Sequence, residues 1–260
     1  MTDPYQHNRV DRRDRILVVT INRPEAYNAL YGPVHAEMAR AWDDFDQDDG
    51  LWVGVVTGAG DKAFCAGNDL KATAAGGDIS IPPSGFGGLC DRYEREKPII
   101  AAVNGVAMGG GMEIALACDL IVAAPHARFA LPEVKVGLLA AAGGVQRLSR
   151  QIGRKKAMEL ILTGRALSAE EAERLGVINR VADGRDALTE ALALAEEVLA
   201  ASPGSVRASK RLLNRLEQAE GLPASIGESV DEVRALMGTE DSREGVAAFV
   251  EKRAPRWRNC

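Results

Sequence analysis

The sequence predicts an α/β fold, and three features point to it: short strands that are apolar on both faces, helices between them, and a C-terminal third that reads almost entirely as helix. The strands are "RILVVTIN" (15–22), "LWVGVVTGAG" (51–60), "KPIIAAVNG" (97–105) and "CDLIVAAP" (118–125). Continuous apolar strands alternating with helices indicate a parallel sheet covered on both sides. At 260 residues the chain is large enough for one substantial core plus an appendage.

Each element follows from local chemistry. The first strand stops at "RPEAYNAL", where Pro24 forbids continuation in a central strand. From Pro33 to Asp48, residues Val34, Met38, Ala41, Trp42 and Phe45 recur at helical spacing. Residues 72–89, "ATAAGGDISIPPSGFGGL", lack periodicity and read as a mobile loop leading into a short helix. Beyond residue 142 strands are scarce apart from "GVINRVA". A capping box from Ser168 to Glu171 opens one helix, and "DALTEALALAEEVLAAS" forms another that ends before Pro203. Further helices are expected over 203–216, 223–238 and 242–252. The domain expectation is therefore a core over 1–200 and a helical region over 201–260.

Composition excludes several classes. A formal net charge of -5 and a pI near 5.4 argue against a dedicated nucleic-acid or anionic-membrane surface. The N-terminus has no apolar segment of signal-peptide length, and no run of about 20 apolar residues spans a bilayer. Cys65, Cys90, Cys118 and Cys260 lack the close pairing of metal sites or disulfide frameworks. The expectation is a cytoplasmic protein with reduced thiols, no metal and no cofactor.

One motif is a decoy. Gly58, Gly60 and Ala63 have the spacing G-x-G-x-x-A directly after a strand. A dinucleotide site requires a helix at the third position, whereas here the chain enters "FCAGNDL". No G-x-S-x-G elbow is present, and His7, His35 and His126 stand alone, with His35 read as a surface or core residue. Cys65 has no nearby histidine partner and reads as inert.

Two glycine-rich junctions and two glutamates remain. In "VAMGGGMEIALACDLIV" (106–122), Gly109, Gly110 and Gly111 interrupt an apolar stretch immediately before Glu113. Glycine in an element interior costs roughly 0.5 to 1 kcal/mol relative to alanine, and burying an ionised carboxylate costs more. Glycines at this junction and at "CAGNDL" allow peptide N–H groups to approach a ligand, and two such groups on one oxygen form an oxyanion hole. Glu113 lies on the first turn of an otherwise apolar helix, and Glu133 follows Pro132 in "FALPEVKVGLL". Two carboxylates near one reacting centre can divide acid and base duties, because each raises the other's pKa. On spacing alone, Glu113 as a helix cap and Glu133 as a solvated turn residue stand level with that reading.

Ordered motifs along nearly the whole chain resemble the crotonase superfamily, the enoyl-CoA hydratases and isomerases. They are "INRPEAYNAL", "FCAGNDLK", "KPIIAAVNGVAMGGGMEIALACD", "FALPEVKVGL", the segment from "GGVQRLSRQIG" to "GVINRV", and "REGVAAFVEKR". The resemblance implies the ClpP/crotonase-like α/β fold of repeated β-β-α turns, with a C-terminal helical region for oligomerisation into trimers or dimers of trimers. It implies an acyl-CoA thioester substrate, with coenzyme A belonging to the substrate rather than acting as a cofactor. It places the oxyanion donors on the N–H groups of Asn68 and Gly110, and CoA-side positions on Ala66, Gly67, Asp69, Leu70 and Lys71. Glu113 would activate the water that adds at Cβ, and Glu133 would exchange the proton at Cα.

Two departures from the family pattern stand out: Ala140 and Ala141 occupy the loop where many hydratases carry Pro-Gly, and Asn68 stands where alanine is frequent. "SGFGGL" and "EDSREGVAAFVEKRAPRW" are similar to carnitinyl-CoA dehydratases, so that activity is the first alternative and double-bond isomerisation the next. An RNA-binding or non-catalytic homologue is the alternative from another class. Arg147, Arg150, Arg154, Lys155 and Lys156 form a local basic cluster, which reads as solvated helix faces.

Overall fold

The structure, a computed structural model, describes residues 5–184, 186–216 and 222–260. Residues 1–4, residue 185 and residues 217–221 of the expected C-terminal region lie outside the described residues. The chain divides into two compact units: the chain up to Arg92 with Ile99–Ala195, and Tyr93–Pro98 with Glu196–Cys260.

In chain order the first unit contains β1 (Asn8–Arg13), β2 (Ile16–Ile21), α1 (Gly32–Gln47), β3 (Val53–Gly58), β4 (Ala63–Cys65), α2 (Leu70–Ala74), β5 (Ile99–Val103), β6 (Val106–Met108) and α3 (Gly110–Ala117). It continues through β7 (Leu120–Ala123), β8 (Arg128–Ala130), α4 (Gly144–Ile152), α5 (Arg154–Thr163), β9 (Leu167–Ser168), α6 (Ala169–Leu175), β10 (Arg180–Val181) and the start of α7 (Ala187–Leu199). The larger sheet has the order β1-β2-β3-β5-β7-β10, and a second sheet has the order β4-β6-β8-β9. From β2 to β10 the larger sheet is parallel throughout, as its doubly apolar strands require. Every residue of β2, β3 and β5 is buried. The α1 side chains Val34, Met38, Trp42 and Phe45 are fully buried in the same cluster as Ile21, Val56 and Ile99.

Two parts of the fold differ from the expectation. The strand expected over 15–22 forms as β2, but β1 precedes it and pairs antiparallel with it. The β1 sequence, "NRVDRR", is charged because an edge strand exposes one side to water, and that polarity hides it from an apolar pattern. The second sheet was equally hidden, because strands of two or three residues are too short to show a period. The sheet matters for the site, since β4 and β6 lie side by side and each delivers one of the glycine turns.

The 72–89 segment contains the end of α2 and a 3-10 turn over Phe86–Gly88, whose residues are buried. The capping box forms as expected, with Ser168 accepting a hydrogen bond from the Glu171 N–H at 3.0 Å.

In the second unit α8 (Pro203–Leu216), α9 (Leu222–Leu236) and α10 (Glu240–Glu251) follow the expected helices within two residues at each end. Arg211 pairs with Glu232 at 2.6 Å and with Glu96 at 2.8 Å. Asp241 accepts N–H bonds from Arg258 and Asn259, which fixes the terminal segment to the start of α10. No helix among the described residues is long and apolar enough to cross a membrane.

Candidate active site

The two glycine turns meet. After β4 the chain runs beside Leu30, whose N–H donates to Gly67 O at 2.8 Å and whose carbonyl accepts from Asp69 N–H at 2.8 Å. After β6, Gly109 (φ 54°) turns the chain into α3 while its N–H donates to Ala130 O at 2.9 Å. Gly67, with φ at 89°, sits so close to the second turn that a Cβ there would stand 2.8 Å from Met108 O and 3.1 Å from Gly110 N. A Cβ on Gly111 would overlap Cys65 O. Glycine is required at both places because backbone packs directly on backbone.

Among the described residues, no backbone acceptor takes the N–H of Asn68 or of Gly110. Gly110 opens α3, so its N–H is one of the donors that a helix leaves unpaired, at the positive end of the helix dipole. The Asn68 side chain turns to Thr73 Oγ1, at 3.2 Å, leaving the role of its backbone independent of residue type.

Glu113 is 4% exposed, on the first turn of α3. Its Oε1 accepts the Gly144 N–H at 2.9 Å, from the first residue of α4. Burial pushes its pKa up to about 7, and the nearby Glu133 carboxyl group adds to the rise; the Gly144 and Ala142 N–H groups and the Arg147 charge oppose it. Glu133 begins the 3-10 turn Glu133–Val136 after β8. A Cβ on Gly109 would lie 3.0 Å from Glu133 Oε1, so this carboxylate rests against the second glycine turn. Its Oε2 is buried with no hydrogen-bond partner, and burial raises its pKa as well. The arrangement therefore holds two coupled carboxyl groups, each biased towards keeping a proton, next to unused N–H donors.

The remaining site candidates fall on the first turn. Asp69 caps α2 by accepting the Ala72 N–H at 3.0 Å and pairs with Arg23 at 3.0 Å. Arg23 also donates to Ala29 O and lies over the Tyr31 ring. The Asp69 carboxylate thus braces the loop that presents Asn68. Ala66 is fixed by its N–H to Tyr27 O at 3.0 Å, while Leu70 and Lys71 are exposed on α2.

Three residues emerge that sequence reasoning did not single out for the site. Phe86 packs on Gly110 so tightly that a Cβ there would overlap its ring. His35 meets Phe86 edge-on at 4.5 Å and accepts the Gly87 N–H on Nδ1 at 3.0 Å. Burial holds the His35 pKa down to about 4, so the ring stays neutral and serves as core. The third is Arg147, which is not the solvated residue the basic cluster suggested: it is half-buried and donates to Ala142 O and Cys90 O. Arg150, Arg154, Lys155 and Lys156 are exposed, as expected of solvated helix faces. Only the "GG" before α4 hinted at Arg147, because a glycine pair lets a side chain cross close to the backbone.

The decoys resolve physically. Ala63 enters strand β4 rather than a helix, so the G-x-G-x-x-A spacing has no helix N-terminus at its third position. The Cys65 thiol is fully buried and pushed up to about 12, leaving it protonated and inert.

Comparison with known proteins agrees with this geometry. Residues 11–259 match the family model for enoyl-CoA hydratase/isomerase. The chain belongs to the enoyl-CoA hydratase/isomerase family. It is 45% identical to a mevalonyl-coenzyme A hydratase of Beauveria bassiana, over 94% of this chain and 91% of that protein. It is 42% identical to a carnitinyl-CoA dehydratase of Salmonella arizonae, over 96% and 97% of the two chains. Among solved structures, an enoyl-CoA hydratase from Mycobacterium tuberculosis superposes with a TM-score of 0.92 at 44% identity, covering 98% of this chain and 99% of that one. Within this enoyl-CoA hydratase/isomerase fold, the two touching turns lie at the ends of adjacent strands of the second sheet, and both glutamates follow elements that start there.

Proposed function

We propose that this chain is a hydro-lyase that adds water to trans-2-enoyl-CoA thioesters, or removes it in reverse, through an enolate. The observation that carries the reading is the contact of the Gly67 and Gly110 turns, with two N–H groups unused and two pKa-raised carboxyls close by. In the hydration direction Glu113 takes a proton from water as the water oxygen bonds to Cβ. The double-bond electrons move toward Cα and the thioester, where the N–H groups of Asn68 and Gly110 hold the charge on oxygen. Glu133 delivers a proton to Cα, and solvent exchange resets the two carboxyls. A pKa near neutrality suits Glu113 for exchanging protons in either direction.

No separate cofactor enters this scheme, because the thioester and the backbone dipoles carry the charge. Ala66, Gly67, Asp69, Leu70 and Lys71 would form the wall facing the CoA part, with Lys71 exposed to meet its phosphates. We place the enzyme in the cytoplasm as a trimer or a dimer of trimers, which light scattering on the purified protein tests.

The experiment is a panel of acyl-CoA thioesters followed by loss of the conjugated thioester absorbance. Turnover of short or medium trans-2-enoyl-CoA is expected. Silence on every enoyl-CoA and 3-hydroxyacyl-CoA chain length would remove the reading. A second reading, dehydration of a carnitinyl-type substrate, is favoured by the carnitinyl-CoA dehydratase named above and by Ala140, buried in the segment after Glu133 where many hydratases carry proline. Faster turnover of crotonobetainyl-CoA than of crotonyl-CoA would establish it. RNA binding with a steep salt dependence would instead favour the non-catalytic alternative.

A further inference from the structure

The residue that fixes the position of Glu113 lies outside the glycine turns and outside both carboxylates. Two backbone N–H groups reach the Glu113 carboxylate, that of Gly144 on Oε1 at 2.9 Å and that of Ala142, and a Cβ on Gly144 would lie 3.0 Å from both Glu113 Oε1 and Ala140 Cβ. Gly144 follows "LLAAAG", a run without proline and with exposed Leu138 and Leu139, so nothing local stiffens it. Arg147, one helical turn further on, reaches back over this run. Its Nη1 donates to Ala142 O at 3.0 Å and its Nη2 donates to Cys90 O at 2.6 Å. Gly143, at φ 98°, leaves no room for a side chain beneath that guanidinium. Cys90 in turn is tied to the Phe86 turn, its N–H donating to Phe86 O at 3.2 Å.

We propose that Arg147 is the positioning residue of the Glu113 carboxylate, its guanidinium clamping the 138–143 run to the Phe86–Cys90 segment so that Gly144 N–H is presented to Glu113 Oε1. The inference rests on the hydratase reading for the role of Glu113. The clamp is a planar side-chain fork that holds two backbone carbonyls, one 5 and one 57 residues away in the chain. One fork joins both walls of the site: the same segment that Cys90 ends also carries the Phe86 ring that packs on Gly110. Arg147 also places the positive charge that works against burial at Glu113. The charged and titratable groups facing Glu113 are Glu133 from the turn after β8, Arg147 from α4 and the Cys90 thiol, which burial keeps protonated.

The test compares R147Q, R147K and R147A with wild type, using R150Q on the exposed side of α4 as a control. In R147Q the fork and the charge are both lost. Turnover is expected to fall by a factor on the order of 10 to 100, as for a misplaced catalytic group, while KM changes less. The acid limb of the pH profile, set by ionisation of Glu113, is expected to move to higher pH. R147K, which keeps charge without the fork, should lose turnover with a smaller move of that limb, and guanidinium added to R147A should restore part of the rate. Thermal unfolding of each variant separates this from simple loss of folding. A folded R147Q or R147A with unchanged turnover and an unmoved acid limb would overturn the proposal. Should wild type itself turn over no acyl-CoA, the hydratase reading fails instead. The clamp is then judged by the carboxyl infrared titration of Glu113, identified by its loss in E113Q, which must still shift upward in R147Q.

Discussion

Two buried glutamates of the first unit, Glu37 on α1 and Glu113 on α3, have similar exposure and opposite surroundings. Glu37 Oε1 accepts the Gln6 N–H at 2.8 Å, and its Oε2 accepts the N–H groups of His7 and Asn8 and the Asn8 side-chain amide. Four donors converge on it, and it stitches the start of β1 to α1. Glu113 has only two backbone N–H groups, those of Gly144 and Ala142, a second carboxyl group nearby, and a pKa raised to about 7. Burial alone does not mark a functional carboxylate; burial with too few donors does, because the missing stabilisation is what shifts the pKa into the working range.

The largest effects that could break this contrast are kinetic. Glu113→Gln and Glu133→Gln should each lower turnover by at least about 10²-fold, with CoA-ester affinity largely kept. Steady-state kinetics and binding of an unreactive thioester measure both, and a fully active variant removes its residue from the mechanism. Glu37→Ala should do the reverse. It leaves several buried N–H groups without an acceptor and is expected to destabilise by at least about 2 kcal/mol, read from denaturant unfolding. The fraction that remains folded should turn over as wild type does, and a selective loss of kcat would erase the distinction.

A smaller effect sharpens it. The folded-state pKa of Glu113 is raised above the ordinary 4.5, so the native state holds a proton that the unfolded chain releases between about pH 4.5 and 7. Stability contributed by the neutral carboxyl is therefore present below pH 4.5 and is lost as pH rises through about 7. Glu113→Gln removes that loss, and its Tm should exceed that of wild type above pH 7, by an amount corresponding to at most about 3 kcal/mol. The difference should close toward pH 4.5; a Tm gain that is flat with pH would mean that Glu113 is not held against its charge.

Much of the site was legible in the residues because glycine and buried charge are costly where they serve no purpose. The triple glycine before Glu113 signalled a turn of unusual geometry, and β6, Gly109 and α3 realise it. The apolar strands β2, β3, β5 and β7 and the helices α8 to α10 were readable because each is long enough to show its period. The same reasoning missed β1, whose polar edge conceals it, and the second sheet, whose strands are too short. Arg147 was misjudged because composition sees a basic cluster, whereas its guanidinium bonds to carbonyls 5 and 57 residues away.

By itself, then, the sequence determined the α/β class, the order of its longer elements, the two glycine junctions and the pair of glutamates, since these depend on local periodicity and on backbone freedom. Tertiary structure decided how close the junctions come, how few donors reach Glu113 while four reach Glu37, and what braces the loop before α4. The physical reason is that a pKa or an unused N–H is set by whatever packs around it from distant parts of the chain, and no local pattern of residues specifies that shell.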